Sequence, residues 1–237
     1  MHSPADCLEC LCPEFGEQRS VGRLFKGRRS IRTVFFDVGG VVIDAPMMAN
    51  FLKYGTEIFG CRDEDLHRVT AQCLPALERG ELKSEEFWDS VCTAMANAGL
   101  KEVPAWRFKG FWEGILEDNL SVNQAVIDIA RRVKGHATVG ILSNVIHEHA
   151  KLLQKNEVYQ HFNPVVLSCK VGARKPEAAV YQKAAELSKT TMDRCLLIDD
   201  DERNLTAAEK LGYRTLHFSE VDDLRMSLYK MGLLEGK

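Results

Sequence analysis

No stretch of this sequence approaches the ~20 consecutive apolar residues that a helix needs to cross a bilayer. The N-terminus also lacks the apolar core of a secretory signal. A cytoplasmic protein without membrane contacts is expected. Strong net charge is missing too: 31 Lys and Arg against 34 Asp and Glu leave −3 at pH 7. There is thus no global field to favour nucleic acid. The eight cysteines lack the two separated ligand pairs of a structural zinc site. Cys7, Cys10 and Cys12 stand together near His2 and could hold a soft metal such as zinc, but no partner pair follows. The other cysteines are scattered singly and read as free thiols in a reducing compartment. From Arg19 to Arg32 it is acid that is missing: six basic residues run without one. Such runs are usually solvated tails, so residues 1–32 are expected to be an N-terminal extension, poorly ordered or laid on the surface.

What is present is organised around Thr33–Asp44, TVFFDVGGVVID. Val34–Asp37 reads as a short strand buried on both faces, as in the middle of a parallel sheet, and it ends in an acid. Gly39 and Gly40 let the chain turn sharply and bring its backbone close to a ligand. From 46 to 119 no strand signal appears. Leu66, Val69, Cys73, Leu74 and Leu77 share one helical face, and Phe87, Val91, Met95 and Ala98 share another. Ser84 reads as an N-cap with Glu85 and Glu86 in the first turn. The segment is too long for a loop and is expected to be an inserted helical subdomain. After Ser121 strands and helices alternate: strands at 137–142, 165–168, 195–198 and 214–218, and helices between and after them. That alternation predicts an α/β protein with a doubly wound parallel sheet. The expected division is a core of 33–45 and 120–237 with the helical insert at 46–119.

Four strands then deliver polar groups to one edge. Asp37 follows the first, and Ser143 and Asn144 the second. Lys175 lies in the loop after the third, and Asp199 and Asp200 close the fourth. In parallel sheets the carboxyl ends of strands share the ligand-binding edge. A carboxylate nucleophile, a hydroxyl donor, a lysine and an acidic pair suit chemistry on an anion beside a hard metal. Each has a plainer reading alone: a turn residue, a helix cap, an exposed loop charge. Their joint placement argues for a site.

The segments FFDVGGVV, ILSN, GARKP and LLIDDDERNLTAAEKLGY resemble, in that order, the four motifs of the haloacid dehalogenase superfamily. The resemblance runs from residue 33 to about 218. It implies a Rossmann-like core, a small helical cap over the site and, for most members, magnesium-dependent phosphatase activity. Carried over by position, Asp37 is the nucleophile. Ser143 and Asn144 lie at the phosphoryl group with the Gly39 backbone, and Lys175 holds nucleophile and phosphate together. Magnesium falls to Asp37, the Gly39 carbonyl and Asp200, with Asp199 as ligand or supporting partner. The substrate implied is a small phosphorylated metabolite, sugar phosphates included. Oligomeric state is not legible.

One departure stands out. Family phosphatases usually have an acid two residues after the nucleophile, and this chain has Gly39. Losing a general acid typically costs ~10²–10⁴ in rate. Asp44 and His147 are the candidate substitutes, and a surface position is the more ordinary reading of both. Two alternatives therefore stand beside the phosphatase. One is a 2-haloacid dehalogenase, which needs neither metal nor second acid, although the crowded acids at 199–201 disfavour a carboxylate substrate. The other is a catalytically weak relative that acts as a binding protein.

Overall fold

The structure is a computed structural model that describes residues 30–44, 47–108 and 110–235. The Cys7, Cys10, Cys12 cluster and the basic run up to Arg29 lie outside these residues. Five strands form one parallel sheet: β1 Thr33–Phe36, β2 Thr138–Ser143, β3 Val165–Leu167, β4 Cys195–Asp199 and β5 Arg214–His217. Their order is β3-β2-β1-β4-β5. The central strand β1 is buried at every position. Its Phe36 lies opposite Ile141 of β2 and Ile198 of β4. Side chains alternate across the sheet. Val34 and Phe36 face one apolar layer with the helices α5 Gln124–Val133, α6 His147–Lys155 and α10 Val221–Lys230. Phe35 faces the other layer with α8 Ala178–Leu187 and α9 Glu202–Lys210. Helices cover both faces, as the alternating pattern predicted. Among the described residues, no helix is long and apolar enough to cross a membrane.

Between β1 and β2 the chain forms α1 Met47–Phe59, α2 Asp63–Glu78, α3 Ser84–Asn97, a 3-10 turn at Ala105–Phe108, and α4 Phe111–Asn119. No strand occurs among the described residues of this stretch. These helices enclose an apolar core of their own, with Phe51, Phe59, Phe87, Trp88, Phe108 and Trp112 at its centre. Ile146, just before α6, joins that core, and α4 packs on α6.

Two local expectations need correction. Ser84 is the first helical residue of α3 and Lys83 the N-cap. The Glu86 carboxylate accepts from the Lys83 amide at 2.8 Å, while the Ser84 hydroxyl is buried without a partner. Ser168 does not end a strand but starts a one-turn helix, α7 Ser168–Val171. Its hydroxyl accepts from the Val145 amide at 2.9 Å and donates to the Val145 carbonyl at 3.2 Å, which ties the turn to the loop after β2. The apolar run Val41–Ile43 is a folded turn, closed by the Ile43 amide on the Val38 carbonyl at 2.8 Å.

Candidate active site

The strand order reverses between β1 and β4, where an open parallel sheet leaves a crevice at its carboxyl edge. Asp37 is the first residue beyond β1, and its amide donates to the Ile198 carbonyl at 2.9 Å. Asp199 is the last residue of β4. Lys175 joins them: its Nζ lies 2.9 Å from Asp37 Oδ2 and 2.5 Å from Asp199 Oδ2. The ammonium is almost wholly buried, with 1% of the side chain exposed. Buried charge is costly unless paired and hydrogen-bonded, and each member here is held. Asp37 Oδ1 accepts from the Val38 amide at 2.7 Å. Asp199 Oδ1 accepts from the Asp201 amide at 2.9 Å and from Asn204 Nδ2 at 3.0 Å. Asn144 grips the Lys175 backbone at both ends, accepting from its amide at 2.7 Å and donating to its carbonyl at 2.9 Å.

The electrostatics follow from this packing. Burial pushes the Asp37 carboxyl up to about 6 against the pull of Lys175, and Asp199 adds to the rise. Burial raises Asp200 too, again with help from Asp199. For Lys175, burial alone would lower the ammonium, but Asp37 and Asp199 outweigh it and hold it above its ordinary range. Two carboxylates thus share one ammonium, and a third, Asp200, lies beside them. Oxygens of Asp37, Asp199 and Asp200 lie within 4.8 Å of one another, close enough to share a metal ion. Gly40 makes this approach possible. It has φ +72°, and a Cβ there would collide with the Asp200 carboxylate.

Ser143 ends β2 and is 3% exposed. Its hydroxyl donates one long bond, 3.4 Å, to the Asn144 carbonyl. Asn144, by contrast, has both ends of its amide committed to Lys175, so here it positions the lysine. Gly39 is half-buried and its backbone pairs with Ile43. Neither candidate for the missing acid touches the central group. Asp44 is exposed and anchored by its amide to the Ser121 carbonyl at 2.9 Å. His147 is exposed and lies against Gly80 of the helical subdomain.

The model of a family described as haloacid dehalogenase-like hydrolase matches residues 31–212. The chain belongs to this family. The hydrolase is similar in fold to a HAD family enzyme from Bacteroides thetaiotaomicron, at 23% identity and a TM-score of 0.64, over 81% of this chain and 95% of that one. The L-2-haloacid dehalogenase of Xanthobacter autotrophicus is also similar in fold, at 15% identity and a TM-score of 0.55, over 86% of this chain and 85% of that one. A curated relative, acyl-CoA dehydrogenase family member 10 of Mus musculus, is 25% identical over 209 residues, covering 80% of this chain. The hydrolase spans only 18% of that protein's length.

One set of contacts in the hydrolase was not read from its sequence. Arg174, next to the buried lysine, pairs with Glu78 at the end of α2 at 2.5 Å. Arg79 pairs with Glu177 at 2.9 Å and with Glu81 at 2.8 Å. Glu78 is raised by its burial, with Arg174 pulling the other way. Gly80 sits against the Cys169 carbonyl, where a Cβ would not fit. The helical subdomain is thereby fastened to the loop that carries Lys175.

Proposed function

We propose that this hydrolase is a magnesium-dependent phosphatase acting on a small phosphorylated metabolite, sugar phosphates included. The observation that carries the reading is the group Asp37, Lys175, Asp199 and Asp200 at the reversal of the sheet. Three neighbouring acids with a single ammonium among them repel an anionic substrate unless a further cation joins them. The donors are carboxylate oxygens, which suit a hard divalent ion. Asp37, Asp200 and the Gly39 carbonyl would hold magnesium, with Asp199 oriented behind them by Asn204 and Lys175. When bound, the ion offsets phosphoryl charge and aligns an in-line displacement. A similar enzyme from Bacteroides thetaiotaomicron, 24% identical, was crystallised with magnesium and inorganic phosphate, which supports the reading.

The chemistry assigned to the chain's own residues is as follows. The Asp37 carboxylate attacks phosphorus and displaces the alcohol oxygen, forming an aspartyl-phosphate. Water then attacks the same phosphorus, releasing inorganic phosphate and restoring the carboxylate. Lys175 keeps Asp37 ionised and aimed, and Ser143 donates to a phosphoryl oxygen. Gly39 offers no acid, and Asp44 and His147 make no hydrogen bond to Asp37 or Lys175, so the leaving oxygen takes its proton from solvent. A screen of sugar phosphates for phosphate release, with magnesium present, tests the proposal. Release by the wild type and not by Asp37→Asn is expected. Metal-independent halide release from 2-chloropropionate, with no phosphate release, would point instead to the dehalogenase chemistry.

A further inference from the structure

The helical subdomain meets the core at two places of different character. At the first, α4 packs on α6, Ile146 enters the subdomain's apolar core, and His149 Nε2 donates to the Trp112 carbonyl at 2.8 Å. At the second, the turn that ends α2 meets the carboxyl edge of the sheet through charges. Glu78 and Arg79 face Arg174 and Glu177, an acid and a base against a base and an acid. Gly80 follows with φ +72°, and a Cβ there would meet both the Cys169 carbonyl and the His147 ring. Cys169 belongs to α7, after β3, and His147 starts α6, after β2. Three consecutive residues of the helical subdomain thus bear on the two loops that carry Asn144 and Lys175.

Their grip on the lysine is direct. Lys175 lies inside a closed turn: the Glu177 amide donates to the Arg174 carbonyl at 2.8 Å, and the Arg174 amide donates to Glu177 Oε2 at 3.2 Å. Arg79 donates to the other oxygen of that carboxylate, Glu177 Oε1, at 2.9 Å. Glu78 accepts from the Arg174 guanidinium at 2.5 Å. Asn144 holds the Lys175 backbone from the core side. The turn is therefore clamped from two sides, and one of them is the helical subdomain. The four side chains of the crossed pairs are partly covered, so salt screens them less than a surface pair. Precision matters here, because misplacing a reacting group by about 1 Å can cost ~10² in rate.

We infer that Glu78 and Arg79 are positioning residues for Lys175. Acting through Arg174 and Glu177, they set where its ammonium stands between Asp37 and Asp199, and so couple the site to the placement of the helical subdomain. This role in catalysis rests on the function proposed above; the mechanical link between the subdomain and the lysine does not.

Two measurements on the full chain test this, each made on wild type, Glu78→Gln, Arg174→Gln and the double variant Glu78→Gln/Arg174→Gln. The first is amide hydrogen exchange, which needs no substrate. The amides of Arg174, Lys175 and Glu177 are expected to exchange about two- to fivefold faster in Glu78→Gln, while those of β4 keep the wild-type rate. No change at these amides, or faster exchange confined to the helical subdomain, overturns the inference. The second is p-nitrophenyl phosphate turnover with magnesium. In Glu78→Gln, kcat is expected to fall about three- to tenfold, with KM within about twofold of wild type. The double variant should fall no further than the single ones, because each removes the same pair. An unchanged kcat, a loss that appears only in KM, or losses that multiply in the double variant overturn the inference. No turnover by the wild type would refute the phosphatase instead, and hydrogen exchange would then decide the mechanical link alone.

Discussion

Replacing Lys175 by Met keeps most of the side-chain volume and removes the charge. The Nζ lies 2.9 Å from Asp37 and 2.5 Å from Asp199, and the side chain is 1% exposed. The variant therefore leaves two buried carboxylates facing each other with no cation. Breaking a buried pair by removing one partner costs about 3–5 kcal/mol, a large part of the 5–15 kcal/mol that typically holds a domain folded. The cost must depend on pH. Asp37 already sits near 6, raised by its burial and held down in part by Lys175. Without the lysine its folded value rises further above the unfolded one. The carboxyl is protonated in both states at low pH, so the penalty is absent there. The wild type carries the same loss between the unfolded value and about 6, so the difference opens as pH climbs past about 6 and is complete above the variant's folded value. Urea unfolding of wild type and Lys175→Met at pH 5 and pH 8 measures this. A loss of about 3–5 kcal/mol at pH 8 that shrinks markedly at pH 5 is expected. An equal loss at both values would mean that packing, not charge, makes Lys175 necessary.

Gly40→Ala places a Cβ at φ +72° against the Asp200 carboxylate. A loss of about 1–2 kcal/mol in stability is expected from the left-handed backbone, and calorimetry should show weakened magnesium binding. Because Asp37 titrates near 6, protons compete with the metal. Magnesium affinity should rise with pH through that value and then level off, with proton release on binding measurable in buffers of different ionisation heat. With no acid at Gly39, turnover should depend steeply on the leaving group. Alkyl phosphates are expected to react about 10²–10⁴-fold more slowly than p-nitrophenyl phosphate, and Asp44→Ala should leave that ratio unchanged. A collapse of the alkyl phosphate rate in Asp44→Ala would identify Asp44 as the acid.

The sheet was legible because a strand buried on both faces has a recognisable composition, and because Asp37, Ser143 and Asp199 fall at strand ends that topology must bring to one edge. The family followed from the same residues. What could not be read depends on which groups meet through space. Asn144 looked like a ligand contact, yet its amide is committed to the Lys175 backbone. Asn204 was part of a motif, but its work of holding Asp199 appears only when α9 is placed beside β4. The pairs Arg174–Glu78 and Arg79–Glu177 join residues about a hundred positions apart. Nothing local marks those four side chains among the many charges of the chain. Ser84 had the residue type of a cap, but Glu86 reached the Lys83 amide and fixed the boundary one residue earlier.

The central claim is that Asp37 is a nucleophile toward phosphorus beside a divalent ion. Its most direct test is p-nitrophenyl phosphate hydrolysis with magnesium, run beside EDTA and Asp37→Asn controls, because this leaving group least needs the absent acid. Turnover that vanishes in both controls is expected. Turnover that survives in Asp37→Asn, or wild-type turnover that is indifferent to EDTA, would contradict it.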